Sequence, residues 1–241
     1  MAKEALALLE SALRARKLDR TLTTSLPSLE RTDAAALAPT GMAGLDARLR
    51  GGLPRGQLSE IAGPLSSGRT TLLLTLLASA TRRGEIAAII DTCDRLDVVS
   101  LASHADLDRL LWVRGDATGP LERALDRALK ALNLVLQAGG FDVVALDLAD
   151  VPPLALARLP LTTWMRVQRM VEGSDTACVL VVPAPLARSA GGVTLTLAAT
   201  ASWAGDSDRS RRLDGLDVAA RIVSPRRKVE GELCIRTRIT G

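Results

Sequence analysis

The stretch IAGPLSSGRTTLLLTLL, residues 61–77, constrains the fold of this chain more than any other. An apolar run enters a loop bounded by Gly63 and Gly68, and Thr70 and Thr71 open a leucine-rich segment. This is the frame G-x-x-x-x-G-[K]-[ST], in which backbone N–H groups at a helix N-terminus cradle phosphate. The frame requires strand, tight turn and helix in that order. It therefore predicts an α/β fold with the loop at the carboxyl end of a parallel strand. One position departs from the frame: Arg69 stands where lysine belongs.

The flanking text supplies the rest of such a fold. EIAAIIDTCD and FDVVALD are continuous apolar runs that end in polar residues, the pattern of strands buried on both faces. Between them Leu121, Leu125, Leu129, Leu132 and Leu136 line one side of an amphipathic helix, and Trp164, Val167 and Val171 mark another before ACVLVVP. After Gly191 and Gly192 the pattern becomes β only, ending in a half-buried strand where Leu233, Ile235, Thr237 and Ile239 alternate with Cys234, Arg236 and Arg238. Residues 1–20 form an N-terminal helical arm on Leu6, Leu9 and Leu13, residues 21–40 a linker containing Pro27 and Pro39, and residues 41–241 the core.

Composition narrows the function. The net charge of +4 admits nucleic acid or acidic protein as partners. With one Phe, three Trp and no Tyr, the chain is a poor base-stacking platform for single strands. Trp112, Trp164 and Trp203 read as core residues. Cys93, Cys178 and Cys234 stand far apart in apolar runs and read as buried small hydrophobes, and His104 has no His or Cys near it to share a metal. No run approaches the roughly 20 apolar residues of a membrane span. The expectation is a cytoplasmic protein with no membrane partner.

The text from GMAGLDARLRGGLPRG through GPLSSGRTTLLLTLL to IIDTCDRLD, within residues 41–97, resembles the RecA recombinase core, and a weaker likeness continues to the β tail. The fold class this implies is α/β: a RecA-like P-loop core with a mostly parallel central sheet, a C-terminal antiparallel β extension and the helical arm. In such ATPases the loop lysine reaches the phosphate oxygens, a hydroxyl and a carboxylate hold Mg²⁺, and a glutamate polarises water. Here Gly63, Ser67 and Gly68 keep the cradle, Thr70 and Thr71 follow it, and Asp147 matches the metal-side carboxylate. Arg69 replaces the lysine, Cys93 the glutamate, and Pro183-Ala184 an Asn-Gln pair that senses the γ-phosphate. A thiol is no substitute for that base, and Asp94 beside it should face away. These are the residues of a vestigial nucleotide site. The resemblance to an ATPase thus implies no catalysis here, with ATP and Mg²⁺ as weak ligands at most.

The two DNA-binding loops of the recombinase correspond to LADVPPLALARLPLT, stiffened by prolines, and to PLARSAGG; both read as plain connections. From residue 205 onward nine basic residues face six acidic ones. Arg226, Arg227 and Lys228 sit on a turn that is either a partner or DNA-backbone interface or a solvated face. A compact RecA-like core with a lysine-less loop and a short arm is similar to the ImuA family, also called SulA-like. That resemblance implies a nucleoid-associated, non-catalytic adaptor of the SOS DNA damage response. It would work in translesion synthesis and mutagenesis beside RecA, an ImuB-like inactive Y-family polymerase homologue and an error-prone C-family DNA polymerase, with Leu6, Leu9 and Leu13 capping a RecA filament or binding the ImuB-like protein. The alternatives are a DNA-stimulated ATPase with an arginine-variant loop and a cell-division inhibitor.

Overall fold

The computed structural model describes residues 36–116, 118–187, 189, 191–207, 209–224 and 229–238. All lie in the second of two compact units, Asp33–Gly241. The arm with Leu6, Leu9 and Leu13 and the turn with Arg226, Arg227 and Lys228 lie outside the described residues.

Apolar runs of five or six residues form the strands at the centre of the sheet: β3 (Gln57–Ala62), β4 (Ala87–Asp91), β6 (Val143–Asp147) and β7 (Ala177–Val182). With β5 (Leu110–Arg114), β8 (Thr194–Ala204), β9 (Arg212–Ser224) and β10 (Val229–Arg238) they make one eight-stranded sheet, in the order β10-β9-β8-β3-β7-β6-β4-β5. The pairs from β5 to β8 are parallel, and β9 and β10 add in antiparallel fashion. This is the expected mostly parallel sheet with an antiparallel extension.

Alternate residues of each central strand feed opposite layers. On one face Ile61, Ile89, Ala145, Val179 and Val181 pack against Leu72, Leu73, Leu76 and Leu77 of α2 (Arg69–Arg82). On the other, Leu58, Ala88, Ile90, Val144, Leu146 and Leu180 meet Leu125 and Leu132 of α4 (Leu121–Ala138) and Trp164, Val167 and Val171 of α6 (Leu161–Val171). Smaller helices α1 (Ala43–Arg48), α3 (Val98–Ala102) and α5 (Pro153–Ala157) lie between strands. At the opposite end of the sheet from the phosphate loop, Arg55 donates to Asp142 O at 2.9 Å and Asp175 O at 3.0 Å and pairs with Glu85 at 2.8 Å. No helix among the described residues is long and apolar enough to cross a membrane.

Several local expectations change. The end of the assigned linker belongs to the core: β1 (Leu37–Ala38) pairs with β2 (Leu53–Pro54), and Ala38 and Thr40 are buried. The first connecting loop is helical, because Pro152 and Pro160 sit as caps with extended ψ ahead of α5 and α6, where a missing N–H costs nothing. Of the cysteines only Cys178 is fully buried, its thiol pushed up to about 12 by burial; Cys93 is half-buried and Cys234 exposed. Of the tryptophans Trp164 is core and Trp112 half-buried, but Trp203 is 51% exposed with Arg211 stacked 5.2 Å from its ring. The cause lies in the sheet: only Thr194, Leu195 and Thr196 of β8 pair with β3, so the β8–β9 ribbon outruns the core.

Candidate functional site: a phosphate loop facing altered strand ends

The loop between β3 and α2 has the backbone of a phosphate cradle. Gly63 admits no side chain, since a Cβ there would lie 2.5 Å from both Leu197 O and Ser67 Oγ. Ser66 and Gly68 take left-handed conformations, φ 59° and 90°, which turn the chain into the helix. Ser67 is buried, and its hydroxyl has no partner among the described residues. Such an orphan at the N-terminus of a fourteen-residue helix is what an oxyanion would satisfy. Thr70 and Thr71 are exposed. So far the residues fit phosphate.

The cation does not. Arg69 is the first residue of α2 and 5% exposed, and its Nη1 leaves the cradle to donate to Ala149 O at 3.3 Å, beyond the end of β6. Burial pushes its pKa down, against the fields of Asp147 and then Asp150. Asp147 is half-buried, and its Oδ1 accepts the Ala149 N–H at 2.9 Å. Burial, with Asp91 and Asp150 adding to it, raises this carboxyl to about 6, while the Ala149 N–H and Arg69 pull the other way.

At the end of β4 the two acids are engaged in local structure. Asp91 is buried, and its oxygens accept Arg95 N and Leu96 N at 2.9 Å and Trp112 Nε1 at 3.3 Å. It fixes the turn that follows and is not free to hold water. That turn begins at Thr92, because β4 ends at Asp91. Asp94 does face away, as expected, but through left-handed backbone (φ 53°) and not through strand alternation. It forms a two-point pair with Arg114 at 2.8 and 2.9 Å, and Arg114 in turn lies 4.6 Å from the Trp112 ring centre. Cys93 remains beside the acids. Burial first, then Asp150, Asp147 and Asp91, push its thiol up, so at neutral pH it is a protonated thiol and no base.

The end of β7 is likewise occupied by structure. Pro183-Ala184 begins a loop held by Glu60, a buried carboxylate whose Oε1 accepts Leu186 N at 2.9 Å and also Ala187 N. Gln168 Nε2 donates to Ala187 O at 3.3 Å, and Ser59 Oγ accepts Val193 N at 3.1 Å. Glu60 is a residue the functional reading passed over, although a lone acid inside the apolar run LSEIA was its signal. The hollow beside the loop, lined by Met42, Gly68, Thr71, Leu72, Val218 and Ile235 among others, offers about 20 Å³. A small-molecule site needs some ~300 Å³ or more. His104 is exposed with Nδ1 2.7 Å from Ser103 Oγ, and among the described residues no group of three His, Cys, Asp or Glu could hold a metal ion.

The geometry is thus a phosphate cradle at the carboxyl end of β3, in a parallel sheet, with β4, β6 and β7 ending beside it. Residues 14–156 match the family described as the RecA N-terminal domain. The chain belongs to that family. Among curated relatives, it is 39% identical over 115 residues to Protein RecA of Nautilia profundicola, 46% of this chain and 31% of the relative. It is 42% identical over 114 residues to Protein RecA of Clavibacter michiganensis, 46% and 30% of the two chains, and 40% over 111 residues to that of Thermus aquaticus, 45% and 31%. The match spans about a third of the length of these RecA proteins. Magnesium-bound ATP, which the family implies, meets a cradle that fits its phosphates and a cation and strand ends that do not.

Proposed function

We propose that this chain is a RecA-like adaptor without ATP hydrolysis, serving bacterial DNA repair as an accessory of damage-induced translesion synthesis. One observation carries the reading. Where the RecA resemblance requires an anionic base, Cys93 presents a half-buried thiol, while the neighbouring Asp91 and Asp94 are committed to the turn and to Arg114. Without a base near the attacking water, general-base assistance worth some 10²–10⁴-fold is lost. Arg69, drawn to Ala149 O, and the pinned Pro183-Ala184 loop point the same way.

What remains is a folded RecA core whose surfaces serve partners. The partners that the ImuA resemblance implies are RecA, an ImuB-like polymerase homologue and, through it, an error-prone C-family DNA polymerase. The ribbon of β8 and β9 that runs past the core, with Trp203 and Arg211 at its exposed end, supplies the residue types that anchor protein interfaces. The test is ATP turnover by the purified chain with and without single-stranded DNA, beside Arg69→Ala, followed by its binding to RecA filaments. Turnover no higher than that of Arg69→Ala, together with saturable RecA binding, is the expected result. DNA-stimulated turnover that Arg69→Ala abolishes would overturn the adaptor reading in favour of an ATPase.

A further inference from the structure

We infer that the guanidinium of Arg69 is a built-in cation that closes the phosphate loop to magnesium-bound nucleotide. The inference rests on the non-hydrolytic reading above and goes beyond it. Loss of the base explains why nucleotide would not be cleaved; Arg69 explains why it would not be bound.

The side chain bridges two parts of the site. It starts on the first turn of α2, inside the cradle, and ends on the carbonyl of Ala149, eighty residues away and two beyond Asp147. Asp147 and Asp150 are the carboxylates whose fields act on it. Its guanidinium therefore sits at the acidic end of β6 and partly offsets the charge there, on the side where the RecA resemblance places the metal carboxylate. A magnesium ion arriving with phosphate would have to share those acids with a cation that stays charged. A guanidinium acting as a phosphate clamp would instead turn into the cradle. There the Ser67 hydroxyl is buried without a partner among the described residues, and Arg69 leaves it so.

The cradle itself is formed: Gly63 is clear of side chain, Gly68 is left-handed, and the helix N-terminus follows. Within the loop the block is thus confined to one side chain and is reversible by substitution. Lysine carries a compact ammonium on a flexible stem, able to turn into the loop toward phosphate. Methionine keeps an apolar stem of similar length and removes the charge, leaving Asp147 and Asp150 uncompensated.

The experiment compares wild type, Arg69→Lys and Arg69→Met in the full chain. Mg·ADP binding is followed by calorimetry, and melting temperature is followed with Mg²⁺ alone and with Mg·ADP. We expect wild type to melt at the same temperature in all conditions. Arg69→Lys should bind Mg·ADP about tenfold more tightly or better. Its melting temperature should rise by about 5–10 °C at a hundredfold excess over Kd. Arg69→Met should be stabilised by Mg²⁺ alone, and a second substitution, Asp147→Asn, should abolish that response. Equal Mg·ADP affinity in wild type and Arg69→Lys would overturn the inference, as would an Arg69→Met chain indifferent to Mg²⁺. Either result leaves the non-hydrolytic reading standing, whereas ATP turnover by the wild-type chain overturns that reading. An Arg69→Lys chain that binds without hydrolysing supports both.

Discussion

The phosphate loop and the strand ends that face it meet in one site, yet what they are made of differs. The loop is defined by backbone: a glycine with no room for Cβ, two left-handed residues, a helix N-terminus. These features also make the strand-to-helix junction, so they serve the fold with or without a ligand. The ends of β4, β6 and β7 are defined by side chains, and the acids Asp91, Asp94 and Asp147 among them are engaged in local contacts. Asp91 caps a turn, Asp94 pairs with Arg114, and Glu60 holds the loop after β7. Backbone features of a cradle are used by the fold whether or not a reaction takes place there. Side-chain chemistry is kept only where a group has work to do.

That contrast breaks most visibly at Gly63. Alanine there drives a Cβ to 2.5 Å from the Leu197 carbonyl, which belongs to β8 and has little freedom to retreat. Overpacking against backbone should cost about 3 kcal/mol or more. Thr70→Ala, in the same loop but exposed, should stay within about 0.5 kcal/mol. Urea midpoints of the two variants decide the matter. Equal losses would mean that the loop is not held by its glycine, and the comparison would fail.

The strand ends offer the next largest effect. Asp91→Ala removes the acceptor of two backbone N–H groups and of the Trp112 indole, inside a buried site. Leaving these donors unpaired should cost about 2–3 kcal/mol. The Trp112 environment should change in near-ultraviolet circular dichroism. A catalytic carboxylate would show the reverse, with stability unchanged or raised on removal. Asp91→Ala therefore sharpens the claim that the end of β4 now serves structure.

Much of this was legible in the sequence, and the reason lies in range. The order of strands and helices, the cradle and the antiparallel tail follow from local periodicity and from one motif. The three replaced positions follow from the resemblance. The reach of Arg69 to Ala149 does not, because it depends on the approach of two loops eighty residues apart. The exposure of Trp203 and Cys234 was hidden for a similar reason: alternation shows which side of a strand a residue takes, not whether a layer covers that side. Asp94 illustrates a third limit. Its direction was right for the wrong reason, since strand logic was carried past Asp91 into a turn.

The smallest effect expected is also the one that shows whether the strand ends have settled. The Asp147 carboxyl is raised to about 6, chiefly by burial, and Arg69 only partly offsets this. In the unfolded chain an aspartate titrates near about 3.9. Between those values the folded chain holds the proton more than the unfolded chain does. Stability therefore falls as pH rises from about 4 to about 6, and the whole cost stands above that window. An asparagine in its place would still accept the Ala149 N–H through its amide oxygen while carrying no charge. Asp147→Asn should then gain about 1–2 kcal/mol at pH near 8, less than the full shift because the carboxylate keeps some water, and almost nothing near pH 4. Denaturant midpoints at the two pH values measure it. A gain that appears only at high pH marks an acid left in strain at the end of β6. A pH-independent difference would mean that Arg69 fully neutralises Asp147, and the strand end would then be as settled as the cradle it faces.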